Sequence, residues 1–231
     1  MRLQHCAAFL MIAVAASACD QSGSVSLDTN DAKASYAIGQ DIGRNLKPAA
    51  SHLDMAAFQK GLDDMLADVD PALTPEELQA AIQQFSQEVT EEQEAERLAM
   101  AETNLAEGVA YMAENGAREG VITTESGLQY EVLRAADGAM PGDADQVSIH
   151  YRGTLADGTE FDSSYERGVP ATFSVGGVIP GFTEALKLMN VGSQIRVVIP
   201  GDLGYGPNGS GDVIGPNATL IFEIELLEIP G

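Results

Sequence analysis

One stretch of the chain combines residue types that an enzyme pocket needs. Residues 158–165 read GTEFDSSY, which brings an aromatic ring, a carboxylate and hydroxyl groups together directly after the turn-forming pair Asp157-Gly158. No cysteine, group of metal ligands or phosphate-binding loop lies nearby in the sequence. Taken alone, the stretch would also fit the polar end of any strand, so its meaning depends on the segments around it.

Further segments accompany this stretch along the chain. They are residues 150–153 (HYRG) before it and residues 178–182 (VIPGF), 203–206 (LGYG) and 218–223 (ATLIFE) after it. In this order and spacing, the segments resemble the FK506-binding-protein (FKBP) type of peptidyl-prolyl cis-trans isomerase. The resemblance implies an enzyme that interconverts the cis and trans forms of X–Pro bonds.

The resemblance also implies a pocket for the proline ring. Phe161, Phe182 and Phe222 are expected to form its apolar walls and floor. The backbone N–H of Ile179 and the hydroxyl of Tyr205 are expected to hold the peptide carbonyls that flank the twisted bond.

Asp162 has two expected roles, which are to polarise the rotating carbonyl or to orient Tyr151. Both residues also have simpler interpretations, because Asp162 precedes two serines and could cap a turn, while Tyr151 and Phe222 alternate within strands like core residues. The complete expected set comprises catalytic Asp162, Tyr205 and Tyr151 and substrate-binding Phe161, Val178, Ile179, Phe182, Val213 and Phe222.

This chemistry requires neither a nucleophile nor a metal ion. The X–Pro bond crosses a barrier of roughly 18–20 kcal/mol, which reflects amide resonance lost when the bond twists. Water favours the charge-separated planar amide, so an apolar pocket lowers the barrier by withdrawing that solvation. No cofactor is expected. His150 and His52 lie far apart in the sequence, and we therefore expect neither a histidine-based metal site nor a catalytic triad.

Certain positions depart from the pattern of single-domain FKBPs. Ala171 stands where an aromatic wall is common, Phe182 where tryptophan usually forms the floor, and Ser210 where histidine is frequent. Phenylalanine keeps the floor apolar, so activity should survive. The resemblance implies that macrolide inhibitors bind the pocket, and the smaller wall predicts weaker affinity for them.

The amino terminus predicts export. Residues 1–18 form a signal peptide, with Arg2 before an apolar run that is shorter than the about 20 residues of a membrane-spanning helix. Two cleavage sites compete: residues 16–18 (ASA) fit ordinary signal peptidase, whereas residues 16–19 (ASAC) resemble a lipobox in which Cys19 becomes lipidated. We expect a location in the bacterial periplasm with a lipid anchor at Cys19, in either the inner or the outer membrane.

The charge of the chain argues against several classes of binding partner. The net charge of −23 argues against binding to DNA, RNA or an anionic membrane surface, which all attract clustered cations. Cys6 leaves with the signal peptide and Cys19 stands alone, so the mature chain forms no internal disulfide.

Helical periodicity dominates the first half of the chain. After a tether at residues 19–30, apolar residues at helical spacing predict helices in residues 31–73, the second of them capped by Asp54. Thr74-Pro75-Glu76-Glu77 predicts the start of a connecting helix (residues 74–118) of about 60 Å. Its polar centre predicts a stalk, and Leu105, Val109 and Met112 are expected to restore an apolar stripe towards its end.

Alternating periodicity begins after Gly120 and predicts strands at residues 128–132, 147–151, 171–175, 195–199 and 222–226, with one helix at residues 182–189. The predicted fold class is α+β, with an FKBP-like curved antiparallel sheet on one short helix in residues 119–231. Residues 35–43 (SYAIGQDIG) and 126–130 (SGLQY) resemble the exported Mip-like (macrophage infectivity potentiator) subfamily. This resemblance implies a homodimer through the amino-terminal helices, in which the long helices hold the isomerase domains apart.

Other functions remain open at this point. The main hypothesis is an isomerase that assists folding of proline-containing unfolded or exported polypeptides. The alternative is an envelope chaperone that binds unfolded clients, with incidental turnover. An inactive adhesin is disfavoured by the joint presence of the pocket residues, and a coiled-coil scaffold by the polar centre of the long helix.

Overall fold

The computed structural model describes residues 25–230 and divides the chain into two units, between Thr74 and Pro75. The predicted signal peptide, Cys19 and the first part of the predicted tether lie outside the described residues. Among residues 25–230, no helix combines the length and the apolar character needed to cross a membrane.

The first unit is entirely helical. Helix α1 spans Asn30–Leu46, a 3-10 segment spans Lys47–His52, and helix α2 spans Met55–Leu66. The predicted cap is confirmed, since the Asp54 carboxylate accepts from the N–H groups of Ala56 and Ala57 at 2.9 and 3.0 Å.

The apolar faces of this unit are exposed in the single chain. In α2, Met55, Leu62 and Met65 are all exposed, and Ala49 is the one buried apolar residue between residues 25 and 74. Within the single chain, two short helices have no third layer to cover these faces.

Helix α3 spans Pro75–Gly116, which confirms the predicted continuous helix. Its 42 residues extend about 60 Å at 1.5 Å per residue. Leu105 and Val109 of the expected apolar stripe are exposed, whereas Gly108 and Asn115 are buried. The end of α3 therefore contacts the following domain through small and polar residues.

Seven antiparallel strands follow in the order β1-β2-β6-β7-β3-β4, and β5 pairs with β3. The α+β prediction is confirmed. The strands are β1 (Val121–Thr123), β2 (Gln129–Arg134), β3 (Gln146–Leu155), β4 (Glu160–Ser163), β5 (Ala171–Ser174), β6 (Gln194–Ile199) and β7 (Leu220–Glu228).

Two short helices connect these strands, α4 (Ser164–Arg167) and α5 (Pro180–Lys187). Helix α5 begins two residues before its predicted start because Pro180 fits the first turn, and the Ile179 carbonyl accepts from the N–H groups of Phe182 and Thr183. It ends at Lys187, before the predicted Met189.

The core lies between α5 and the sheet. The buried side chains from α5 are Phe182, Ala185 and Leu186. They join alternate residues of the long strands, chiefly Val147, Ile149, Ile195, Val197, Ile199, Leu220, Ile224 and Leu226. One end of this core is left open, and the aromatic side chains there line a cleft.

Candidate active site

The cleft has a volume of about 720 Å³. The structure brings every pocket residue expected from the sequence to its lining: Tyr151, Phe161, Asp162, Val178, Ile179, Phe182, Tyr205, Val213 and Phe222. Residues from strands β3, β4 and β7, from the start of α5 and from the loop before β7 therefore meet at one place.

Three phenylalanines form an edge-to-face group at the base of the cleft. The ring centroids of Phe182 and Phe222 lie 5.0 Å apart at 82°, and those of Phe161 and Phe222 lie 5.5 Å apart at 85°. Phe182 and Phe222 are almost fully buried, with 4% and 5% of their surfaces exposed. Such perpendicular contacts fix the ring planes, so the base is a rigid apolar surface.

Gly153 makes room for this group. It lies in β3 opposite Phe222 of β7 and Asp162 of β4. A Cβ atom at Gly153 would lie 2.6 Å from the Phe161 ring and 2.8 Å from the Phe222 ring. Only glycine lets both rings rest against the strand, and this position was not predicted from the sequence.

Tyr151, Asp162 and Arg167 form a polar network on one wall. The Tyr151 hydroxyl donates to Asp162 Oδ2, Arg167 Nη1 donates to Asp162 Oδ1, and Arg167 Nη2 donates to the Tyr151 hydroxyl at 2.9 Å. The Arg167 guanidinium also lies 5.5 Å from the centroid of the Tyr151 ring. The Tyr151 hydroxyl is thus occupied by protein partners as both donor and acceptor.

The backbone around Ser163 and Ser164 positions Arg167 in this network. Ser163 caps α4 by accepting from the N–H of Glu166, and Gly168 ends the helix at a φ of 71°. The buried Ser164 hydroxyl accepts from the N–H of Tyr151 at 2.8 Å and so fixes the Tyr151 backbone. Arg167 was not predicted from the sequence, because it meets Asp162 only after α4 turns the chain back from β4.

The network sets the charge of Asp162. Burial on its own raises the pKa of Asp162, but hydrogen bonds from Tyr151 and Arg167 outweigh it and hold that pKa below 3.8. Burial, followed by the hydrogen bond to Asp162, raises the pKa of Tyr151 above 10.0. At neutral pH the pair is therefore a carboxylate and a protonated phenol.

Two donors at the cleft are unoccupied. Ile179 precedes α5, and no described residue accepts from its backbone N–H. Tyr205 is 40% exposed, and its hydroxyl has no partner among residues 25–230. A substrate with two carbonyl groups would find these donors free, whereas the Tyr151 hydroxyl is already paired.

The aromatic wall comes from a residue that was not predicted from the sequence. Ala171 is absent from the lining, but Phe173 of the same strand is present. Its ring centroid lies 5.7 Å from that of Tyr151 and 6.3 Å from that of Phe182. The wall expected to be small is thus aromatic, two residues further along β5.

The loop of residues 205–215 closes the opposite side. Ser210, Gly211, Asp212 and Ile214 join Tyr205 and Val213 in the lining. A backbone bridge between Ser210 and Ile214 folds the loop on itself, with hydrogen bonds of 2.8 and 3.2 Å.

His150 does not line the cleft. Its ring stacks on Tyr165 with centroids 4.7 Å apart, and its Nδ1 lies 3.0 Å from the Ser164 hydroxyl. Within residues 25–230, no group of three or more His, Cys, Asp and Glu side chains is arranged to hold a metal ion.

Comparison with known proteins identifies the domains. Residues 137–227 match the family described as FKBP-type peptidyl-prolyl cis-trans isomerase, and residues 31–132 match the domain amino terminal to FKBP-type peptidyl-prolyl isomerase.

Two similar proteins match this chain over almost their whole length. The outer membrane protein MIP of Legionella longbeachae is 40% identical over 229 residues, which cover 99% of this chain and 98% of that protein. The FKBP-type 22 kDa peptidyl-prolyl cis-trans isomerase of Escherichia coli strain K12 is 45% identical, over 87% of this chain and 97% of that protein.

The crystal structure of FkpA from Escherichia coli is similar in fold, with a TM-score of 0.67 and 37% identity over 88% of this chain and 98% of that chain. Sequence and fold agree over both the helical segment and the sheet domain. The chain therefore belongs to the FKBP-type family, and its activity is that of a peptidyl-prolyl cis-trans isomerase.

Proposed function

We propose that the cleft binds the X–Pro segment of unfolded polypeptides and stabilises its twisted amide. The observation that supports this most directly is the pair of unoccupied donors, the Ile179 N–H and the Tyr205 hydroxyl, beside the buried rings of Phe182 and Phe222. The rings offer the proline an apolar surface, and the donors would hold the carbonyls on either side of the twisting bond.

The acceleration would come from stronger binding of the twisted amide than of the planar one. The planar amide is charge-separated and loses solvation on entering an apolar cleft, whereas the twisted amide loses less. Val178 and Val213 would add apolar contacts at the rim, on either side of the proline. A millionfold acceleration requires about 8 kcal/mol of such preference.

Asp162 would act through Tyr151. The network with Arg167 favours the orienting role of Asp162 over a direct one, because both carboxylate oxygens already accept hydrogen bonds. Fixing the Tyr151 ring would in turn fix the wall against which the proline packs. Asp162 and Arg167 are then positioning residues, whereas Tyr151 contacts the substrate through its ring.

A homodimer through the first unit completes this proposal. Tyr36 and Ile38 of α1 and Met65 and Leu66 of α2 are between 56% and 77% exposed. Helices that bury almost nothing internally gain most of their stability from a partner surface. A second copy of the unit would cover these faces, and residues 31–73 would then be a dimerisation region, 74–118 a connecting helix and 119–231 the catalytic domain.

We place this dimer in the bacterial envelope. The name of the Legionella longbeachae relative, an outer membrane protein, supports that location. A lipid on Cys19 would provide the only membrane attachment, and a Cys19→Ala variant that still sediments with membranes would refute the anchor.

A chaperone function is the second candidate. Leu105 and Val109 of α3 are exposed, and with Met112 and Pro200 they line a groove of about 370 Å³. Apolar side chains in an open groove could hold unfolded segments without turnover.

One pair of variants separates these functions. We expect Asp162→Ala to lower kcat/KM on an Ala-Leu-Pro-Phe peptide by about tenfold, because the cleft wall loses its fixed tyrosine. Suppression of aggregation of an unfolded client should stay unchanged. The matched control is Asp143→Ala, which removes an exposed carboxylate paired with Lys187 at 2.8 Å. Equal activity of both variants would contradict the proposed site.

A further inference from the structure

The end of α3 is fastened to the sheet by a polar cluster. Asn115 Nδ2 donates to Gln129 Oε1 at 2.9 Å, and Gln129 Nε2 donates to the Met112 carbonyl at 2.9 Å. Arg196 of β6 donates to Asn115 Oδ1 at 2.9 Å and also to the Tyr111 hydroxyl. This cluster fixes the direction in which the helix leaves the domain.

Gly108 then brings the helix close to the loop before β7. A Cβ atom at this position would lie 2.2 Å from the Thr219 Oγ1 atom. Gly108 is buried despite its place on a largely exposed helix. Glycine in a helix interior is less favourable than alanine, so the close contact that Gly108 permits offsets a local disadvantage.

One helical turn before Gly108, α3 contacts the end of the loop that closes the cleft. Asn104 Nδ2 donates to the Pro216 carbonyl at 2.8 Å from a partly buried position. Gly215 leaves the space for this contact, since a Cβ there would lie 2.8 Å from Asn104 Nδ2 and 3.0 Å from Met100 Sδ.

Two helical turns before Asn104, Arg97 makes the corresponding contact at the other end of the loop. Its Nη1 donates to the Pro207 carbonyl at 2.9 Å. Its Nε and Nη2 donate to the two Glu94 oxygens at 2.9 and 2.8 Å, which orients the guanidinium. Because Glu94 lies on the same helix, it fixes the Arg97 side chain in the position that contacts the loop.

The two carbonyls lie at the two ends of the loop that lines the cleft. Pro207 follows Tyr205 by two positions, and Pro216 follows Val213 by three. Just outside these prolines, the N–H of Asn217 donates to the Gly206 carbonyl at 2.8 Å, which closes the base of the loop. The helix therefore contacts this loop at both ends.

We propose that Arg97 and Asn104 are positioning residues of the isomerase, which hold the loop of residues 205–215 so that Tyr205 and Val213 face the substrate. This inference rests on the proposed function of the cleft. The connecting helix then acts on the catalytic domain, and its residues set how well the cleft binds a peptide.

The test uses the full chain with Arg97→Ala, Asn104→Ala and the double variant. The matched controls are Arg44→Ala, whose guanidinium pairs with Asp41 three residues earlier on α1 at 3.0 Å, and Thr103→Ala, whose hydroxyl bonds within the helix. Amide hydrogen exchange reports the order of the loop, peptide titration by NMR reports affinity, and steady-state kinetics separates kcat from KM.

We expect exchange in residues 206–217 to accelerate on the order of tenfold in the double variant, with no change elsewhere in the sheet. The kcat/KM should fall about three- to tenfold, mainly through KM, since each lost hydrogen bond weakens loop order modestly. Arg97→Lys should recover part of the affinity because its ammonium can still donate to the Pro207 carbonyl.

Unchanged loop exchange in the double variant would overturn the proposal, and so would faster exchange with wild-type peptide affinity. An equal loss of affinity in the control variants would also overturn it. Absence of turnover in the wild-type protein would refute the proposed function, while exchange and peptide affinity would still decide the role of the helix.

Discussion

Replacing Gly153 by alanine tests the geometry at the base of the cleft. The added Cβ would meet two Phe161 ring atoms at 2.6 Å each and a Phe222 ring atom at 2.8 Å. Ordinary carbon contacts are about 3.5–4.0 Å, so the Phe161 ring must retreat by about 1 Å. The Phe222 ring is held in turn by Phe182, with centroids 5.0 Å apart.

Gly153→Ala should lower the stability of the protein because it overpacks the core. Inserting a methyl group into a fixed core costs about 1–3 kcal/mol, which in a domain of this size lowers Tm by roughly 2–12 °C. Displacing the rings towards the proline should lower kcat/KM by at least about tenfold. Differential scanning calorimetry and a protease-free isomerisation assay at 10 °C would measure the two effects.

A matched control and a compensating variant make the test specific. A Cβ at Gly142 would lie 3.5 Å from Asp145 Oδ2, an ordinary contact, so Gly142→Ala should leave both Tm and kcat/KM unchanged. Phe161→Leu should relieve part of the strain of Gly153→Ala in a double-mutant cycle. Wild-type Tm and activity in Gly153→Ala would refute the ring positions.

Three further predictions concern the donor, the charge network and the first unit. Tyr205→Phe should lower kcat/KM about two- to tenfold by removing one hydrogen bond, whereas Tyr165→Phe, also exposed and outside the cleft, should not. Arg167→Gln should move the acid limb of kcat/KM to higher pH, because it removes a hydrogen bond that lowers the pKa of Asp162. The ionised Asp162 contributes stability above its ordinary pKa of 3.8, and this stability is lost as pH falls through the lower pKa of the folded protein. An acid limb that coincides with the wild type would contradict this network. Leu66→Asp should shift the chain from dimer towards monomer in analytical ultracentrifugation, and an unaltered mass would contradict the proposed interface.

The long alternating segments were predictable because strands β3, β6 and β7 place alternate apolar side chains in a common core. Strands β1 and β4 and helix α4 contain three or four residues each, too few to show a period. Strands β1 and β4 form because β2 and β3 supply their hydrogen-bond partners, and α4 is capped by the Ser163 side chain.

The site residues that belong to the family resemblance were predictable from the sequence. The residues that reach the site only through tertiary contacts were not. Phe173 reaches the cleft because β5 pairs with β3, with Phe173 opposite Val147. Arg167 reaches Asp162 because α4 turns the chain back. The contacts of Arg97 and Asn104 span more than 100 residues, and both are polar, so no apolar stripe indicates that this face of α3 is covered.

The most direct test of the central claim is two-dimensional exchange NMR of an Ala-Leu-Pro-Phe peptide with the wild-type protein. The same sample gives the cis–trans exchange rate and the amide shifts of the protein. The proposed site predicts exchange far above the spontaneous rate and shifts centred on Ile179 and Tyr205. Exchange no faster than in buffer, or shifts confined to residues outside the cleft, would contradict it.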